Sequence, residues 1–300
     1  MALGLAMPDL SYVPQALVSG IGIGCVYGLI GIGFCVIYNA SGLVNFAQGA
    51  FVMLGGMITQ ALLARTGCGL LVAAIVAVAV VAGLGALIER MVVRPLWDRR
   101  ATMFVMILAT LAVEIVIERL TLLLAGDQPK SLPVFTDRPP LMLSGVAVSY
   151  QLLWIIGTSG LAISALGWFF GMTRIGRAMR ACAIDREAAM LQGIPVSRML
   201  SLAFALSAAL GAIAGILITP TQYTAFNVGV PFAISGFIAA IVGGFGRPFG
   251  AFFGGIMLGL VQSGAIVMFG AGLKNAAALS VLLLFLFIRP SGLFGAAKTT

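Results

Sequence analysis

Apolar runs of roughly twenty residues follow one another almost without pause from residue 14 to residue 289. Each is long enough to cross a hydrocarbon core about 30 Å thick as a helix. In lipid the backbone must satisfy its own hydrogen bonds, which leaves helices or a closed barrel. Barrel strands alternate apolar and polar residues over about ten positions. These runs are longer and uniformly apolar, so the expected fold is all-α, a polytopic transmembrane helical bundle. Composition agrees: 61% of the 300 residues are hydrophobic and 9% are charged, against about 25% charged in a soluble domain.

The runs fall at 14–37, 45–64, 69–90, 102–124, 151–171, 199–219, 228–246, 248–270 and 273–289. Nine spans result, or eight if the 45–64 run or the pair flanking Gly246 is re-entrant or broken. The whole chain, 1–300, reads as one membrane domain. No Lys or Arg precedes the first run, so a cleaved signal peptide is not expected at the start.

Residues 172–198 interrupt this pattern with an arginine-rich polar island. Placing it in the cytoplasm and letting nine spans alternate tests the topology. Twelve of the 17 Lys and Arg residues then lie inside, and Arg65, Arg119, Lys130, Arg138 and Lys274 lie outside. Positive charge favours the cytoplasmic side, so the N-terminus is expected outside and the C-terminus inside. The net charge of +8 is spent at span ends. It forms no continuous basic patch among stacking aromatics, so nucleic acid is not an expected partner.

Several chemistries lose their residues. There is no histidine, and Cys25, Cys35, Cys68 and Cys182 form no C-x-x-C pair. Neither a metal site nor histidine-based catalysis is expected, and no cluster of nucleophile and base converges. No G-x-x-x-x-G-K-[ST] loop is present to cradle a nucleotide.

Within the island, residues 178–192 are strong helix formers without Gly or Pro. Gly193 and Pro195 then end the helix. Glu187-Ala188-Ala189, with Gly193 four residues on, is the kind of helix and break by which a membrane conduit grips a separate motor. Small Ala181, Ala188 and Ala189 would let the helix lie deep in a groove of that partner. Asp185 and Glu187 can meet its basic residues, while Arg177, Arg180 and Arg186 can hold acidic groups or anionic lipid. An ordinary amphipathic interfacial helix is the alternative.

Four polar residues are candidates for a translocation path. Asn39, Asn45 and Gln48 lie in the break between the first two runs. They line a pore if that segment re-enters the membrane, and merely shape a turn if it does not. Glu114 lies inside a span, where a carboxylate is costly and points to function unless it is paired. Glu118, one turn later, abuts Arg119 near the outer interface. Segment 125–150, with Pro129, Pro133, Pro139 and Pro140, reads as an ordered external loop or short hairpin. Glycines four apart (Gly20, Gly24 and Gly28; Gly211 and Gly215; Gly250 and Gly254; Gly255 and Gly259) suit close helix packing.

Four separated segments carry a resemblance. They are Asn39–Gly49 with the following Phe51-Val52-Met53-Leu54-Gly55; Gly176–Gly193 with its Arg-Ala-Cys-Ala core; Ala239–Gly259; and Arg289-Pro290-Ser291-Gly292-Leu293-Phe294-Gly295. Their order and spacing over about residues 14–295 resemble the branched-chain amino-acid ABC transporter permease family, in particular its LivH-type members. The resemblance implies a permease subunit without cofactor of its own, in a bacterial cytoplasmic membrane. It further implies a second homologous permease, two ATP-binding subunits that carry ATP and magnesium, and an extracytoplasmic solute-binding protein as partners. Residues around Glu187 would then be the ATPase contact, within 172–198 as a cytoplasmic coupling loop. No I-x-L-P follows Gly193, a departure from the wider pattern of such loops. The family also handles urea, short amides and other amino acids, so these remain alternative cargoes. An ion-gradient-driven transporter, for which Glu114 would be the key carboxylate, is the rival of another class.

Overall fold

The computed structural model describes residues 13–143, 145–289 and 292–294. Pro290, Ser291, Gly295 and Lys298, which enter the closing motif and the charge count, lie outside the described residues. Twelve α-helices succeed one another among the described residues: α1 (Val13–Ser41), α2 (Gln48–Thr66), α3 (Leu70–Ile88), α4 (Arg94–Asp98), α5 (Met103–Ala125), α6 (Tyr150–Met172), α7 (Arg174–Ile184), α8 (Arg186–Leu191), α9 (Val196–Gln222), α10 (Gly229–Gly243), α11 (Pro248–Phe269) and α12 (Lys274–Ile288). A π-helical turn, Glu89–Val93, joins α3 to α4. Each of the nine apolar runs coincides with a helix. Six helical stretches are long and apolar enough to cross a membrane by themselves: Val13–Ser41, Leu70–Asp98, Tyr150–Met172, Val196–Gln222, Pro248–Phe269 and Ala271–Ile288. The architecture is therefore an all-helical, multi-pass membrane protein. α10, with 15 residues, rises only about 22 Å.

The exception to the helical pattern is external to the bundle. Strands β1 (Leu141–Leu143) and β2 (Val146–Val148) form an antiparallel hairpin, and Lys130 bridges to Thr224. Segment 125–150 is thus an ordered hairpin-bearing loop, held to the turn after α9.

α1 is the axle of the bundle. Its residues from Cys25 to Ile37 are buried without interruption, as expected of a helix that is apolar on all sides. It packs on α11 through a glycine seam. A Cβ on Gly24 would fall 2.6 Å from Ile256 Cα, and one on Gly28 would fall 2.9 Å from the Phe252 carbonyl oxygen. One on Gly255 would fall 2.5 Å from Gly28 Cα. Only backbone against backbone fits there, which is how helices approach closely where lipid supplies no drive for association.

Polar contacts sort the helix ends into two groups. One end gathers the C-terminus of α1, α4, α7, α8, the start of α9 and the 244–247 turn. Arg186 donates to the Ala40 carbonyl, Asn39 donates to the Gly246 carbonyl, and Arg247 donates to the Phe294 carbonyl. The opposite end gathers Gln15, the β hairpin and the end of α9. Gln15 exchanges two hydrogen bonds with Ala147, and Gln151 donates to the Leu217 carbonyl.

Candidate coupling surface and buried polar break

The polar island folds as two short helices separated by Asp185. Thr173 caps α7, its hydroxyl accepting from the Gly176 N–H at 3.0 Å. A continuous helix over 178–192 is not observed. Asp185 adopts an extended backbone, φ −151°, and its carboxylate accepts from the Ala188 N–H at 3.1 Å. An Asp that can bond its own following amides favours a cap over a helix interior, so the helix restarts as α8. Gly193 ends α8 in the left-handed region, φ 76°. Its N–H donates to the Met190 carbonyl at 2.9 Å, and the Ile194 N–H donates to the Ala189 carbonyl at 3.0 Å.

The outer face of this unit mixes charge and bare apolar surface. Arg177, Arg180, Asp185, Glu187, Ala188 and Gly193 are all exposed. Between them Ile184 and Leu191 are 88% and 89% exposed. Ala189 behaves differently from its neighbours. It is buried with Met179 and Cys182 against the body of the chain, so it seats α8 on its own bundle. Arg186 is half-buried and reaches inward. Its Nη2 donates to the Ala40 carbonyl at 2.9 Å, and its guanidinium lies over the Trp97 ring. Nothing in the sequence links positions 40, 97 and 186, and that contact escaped sequence reasoning. So did Glu89, fully buried in the π turn. Arg94 grips it through Nε at 3.2 Å and Nη2 at 2.9 Å and also donates to Ser201 at 2.7 Å. This network ties α4 to α9.

The break between α1 and α2 is buried protein interior. Gly42, φ 66°, turns the chain out of α1. Leu43, Asn45 and Ala47 are then fully enclosed. Asn45 accepts from the Ala47 N–H at 3.1 Å, while its Nδ2 has no partner. Gln48 donates to the Ser207 carbonyl at 3.2 Å, and its Oε1 lies 2.6 Å from the Ser207 hydroxyl. Glu114 accepts from the Ala50 N–H at 2.6 Å, a bond to the first turn of α2. Its Oε1 abuts Gly49 and Gly229, the starts of α2 and α10, where helix ends favour negative charge. The structure therefore brings Asn45, Gln48 and Glu114 together around the start of α2. Asn39 stands apart at the α1 C-terminus, donating to the Gly246 carbonyl at 2.7 Å.

The family model for the branched-chain amino acid transport system permease component matches residues 16–288. The chain belongs to this permease family. A high-affinity branched-chain amino acid transport system permease protein, BraD of Pseudomonas aeruginosa, is 32% identical over 96% of this chain and 98% of its own length. LivH of Escherichia coli is 29% identical over 95% of this chain and 96% of its own. A probable LivH of Methanocaldococcus jannaschii is 28% identical over 78% and 75%. Among solved structures, PsaBC from Streptococcus pneumoniae in complex with Fab aligns with a TM-score of 0.52 at 15% identity, covering 94% of this permease and 93% of that chain. That likeness concerns the fold alone. As a permease subunit the chain is not itself an enzyme.

Proposed function

We propose that this permease carries branched-chain or closely related amino acids into the cell, driven by ATP hydrolysed on two partner subunits that hold the nucleotide and magnesium. A second, homologous permease completes the channel, and an extracytoplasmic binding protein delivers the cargo. Residues 172–198 form a cytoplasmic coupling loop within a single permease domain. This orientation, with the N-terminus outside and the C-terminus inside, draws support from the gathering of Arg94, Arg99, Arg100, Arg174, Arg177, Arg180, Arg186 and Arg198 at the same end of the bundle.

The observation that carries the reading is the α7–α8 face. Ile184 and Leu191 lie almost wholly exposed among Arg177, Arg180 and Glu187. Apolar side chains rimmed by charge mark a surface that another protein covers. Asp185 and Gly193 define the ends of α8, so its exposed face is presented as a rigid knob. Motor closure on nucleotide pushes this knob. Arg186 passes the displacement to the α1 C-terminus and to Trp97, and α1 runs through the centre of the bundle. Such a lever drives transport only if its contacts differ between the open and closed channel, and by linkage the channel state then biases the motors in return.

Glu114, Gln48 and Asn45 set the depth and angle at which α2 starts, beside the conduit. The engagement of Glu114 with Ala50 argues against a carboxylate free to carry a coupling ion. The test is uptake of L-leucine by the reconstituted complex in liposomes. ATP-dependent accumulation supports the reading. Accumulation driven by an ion gradient without ATP, or by this chain alone, refutes it.

A further inference from the structure

The last turns of α6 and the first turns of α11 part around a cavity of about 540 Å³, bounded also by the end of α1 and by α7. Its α6 wall runs from Ile163 to Gly171, about 12 Å along the helix axis. Glycine shapes that wall. A Cβ on Gly167 would fall 2.8 Å from Phe249 Cζ, whereas one on Gly171 would meet nothing within 4 Å. The facing side is aromatic, with Phe170, Phe249, Phe253 and Phe294. Phe249 and Phe253 are each about half exposed, so the cavity is a groove open along its side.

The polar part of the lining has one sign of charge. Arg180 and Arg247 both line the groove, and no Asp or Glu does. Neither arginine has a carboxylate within 4.0 Å among the described residues. Arg247 spends one N–H on the Phe294 carbonyl, and a guanidinium carries five. Asn39, the other polar residue of the lining, is already engaged with the Gly246 carbonyl.

Two span ends fix where these cations stand. α6 ends at Met172, and Thr173 caps the arginine-rich α7 that carries Arg180. Arg247 immediately precedes Pro248, the first residue of the apolar α11. At both places apolar helix gives way to charge, the level at which arginines meet the membrane surface. The groove therefore runs from a pair of cations along the apolar flank of two spans.

We propose that this groove binds an anionic phospholipid. Its phosphate accepts from Arg180 and Arg247, and one acyl chain lies along Gly167 and Gly171 against Phe249 and Phe253. Charge complementarity selects the occupant: a basic pocket between membrane helices suits an anionic headgroup, and guanidinium matches phosphate in geometry as well as charge. The apolar length beside the cations requires a hydrocarbon tail, which a free phosphate lacks. Arg180 thus stands at the edge between the α7–α8 docking face and the groove. The inference needs only the membrane fold, so failure of the importer reading leaves it standing.

The test offers the protein, purified in detergent with its native partners, equal amounts of phosphatidylglycerol and phosphatidylcholine with matched acyl chains. Native mass spectrometry reads the lipid retained. The wild type is expected to prefer phosphatidylglycerol, and Arg180→Gln with Arg247→Gln should lower that preference about tenfold. Arg247→Gln alone, which alters no residue of α7 or α8, should fall between. Arg180→Lys with Arg247→Lys should recover most of the preference, because phosphate also accepts from an ammonium. Gly171→Leu should reduce retained lipid with both arginines intact. A preference unchanged in the double Gln variant overturns the site. Equal loss in the double Gln and double Lys variants assigns the arginines to folding and overturns it too. Cross-linking of Phe249→Cys to a second permease subunit in the membrane would show the groove covered by protein, which also overturns it.

Discussion

The Arg186 guanidinium lies 3.9 Å from the centroid of the Trp97 ring. With the bond from its Nη2 to the Ala40 carbonyl, one side chain joins α8, α4 and the end of α1. The planar guanidinium stacks and donates at once, which an ammonium does not reproduce. Arg186 therefore links the exposed α8 to the central helix.

Arg186→Ala is expected to cut ATP-driven uptake about tenfold, from the loss of stacking and a charge-assisted bond worth about 2 kcal/mol together. The decisive readout is the ratio of solute moved to ATP hydrolysed. A fall in that ratio at normal complex abundance marks lost transmission. An unchanged ratio with less complex would make the contact purely structural. Arg186→Lys should fall between the two.

Two changes on α8 test the docking face from different sides. Ala188→Pro deletes the N–H that Asp185 accepts, a cap worth about 1 kcal/mol, and frays the knob. Glu187→Lys keeps the helix and reverses its exposed charge. Both should abolish uptake while the chain still inserts in the membrane, scored by transport and by membrane abundance. Normal uptake in both would remove the docking role.

Glu114→Gln keeps an acceptor for the Ala50 N–H and should lower uptake only modestly, with assembly intact. Glu114→Leu leaves that amide unpaired in the interior and should cost about 2 kcal/mol, seen as a lower Tm in detergent. Loss of transport in Glu114→Gln at unchanged Tm would instead give the carboxylate a direct part in the path.

The glycine seam yields a sharp contrast. Gly24→Leu or Gly255→Leu forces a side chain into backbone atoms less than 3 Å away and should prevent accumulation of folded protein. Gly264→Ala, also on α11, meets nothing within 4 Å and should be neutral or stabilising by about 1 kcal/mol, as Ala is the better helix former. Membrane abundance and Tm of the three variants check this.

Much of the scaffold was legible because its signals are local. Apolar run length located nine of the twelve helices among the described residues, the prolines of 125–150 announced the hairpin-bearing loop, and Gly193 marked the end of α8. The G-x-x-x-G spacings on α1 and α11 foretold a close seam, though only the fold shows that they face each other. Asp185 was misjudged because one polar residue in a run of helix formers looks like a mere surface charge. Its capping bond depends on a backbone turn, which spacing does not reveal. The site was harder still. Arg186 finds Ala40 and Trp97, and Tyr27 finds Gln262, each across a large separation in the chain. Residue type flagged Glu114 and Gln48 as polar in an apolar setting. It could not say that their hydrogen bonds close on α2 and α9.

Accessibility of a cysteine placed at Glu187 tests the central claim most directly. Native Cys25, Cys35 and Cys182 are buried, and burial pushes the Cys182 thiol up, which slows its reaction with maleimide. Cys68, partly exposed beyond the end of α2, serves as a control at the opposite end of the bundle. A membrane-impermeant maleimide should label Glu187→Cys in inside-out vesicles only, and assembly with the ATP-binding subunits should block that labelling, while Cys68 reacts only from outside. Labelling of Glu187→Cys on intact cells, or equal labelling with and without the ATP-binding subunits, would contradict the account.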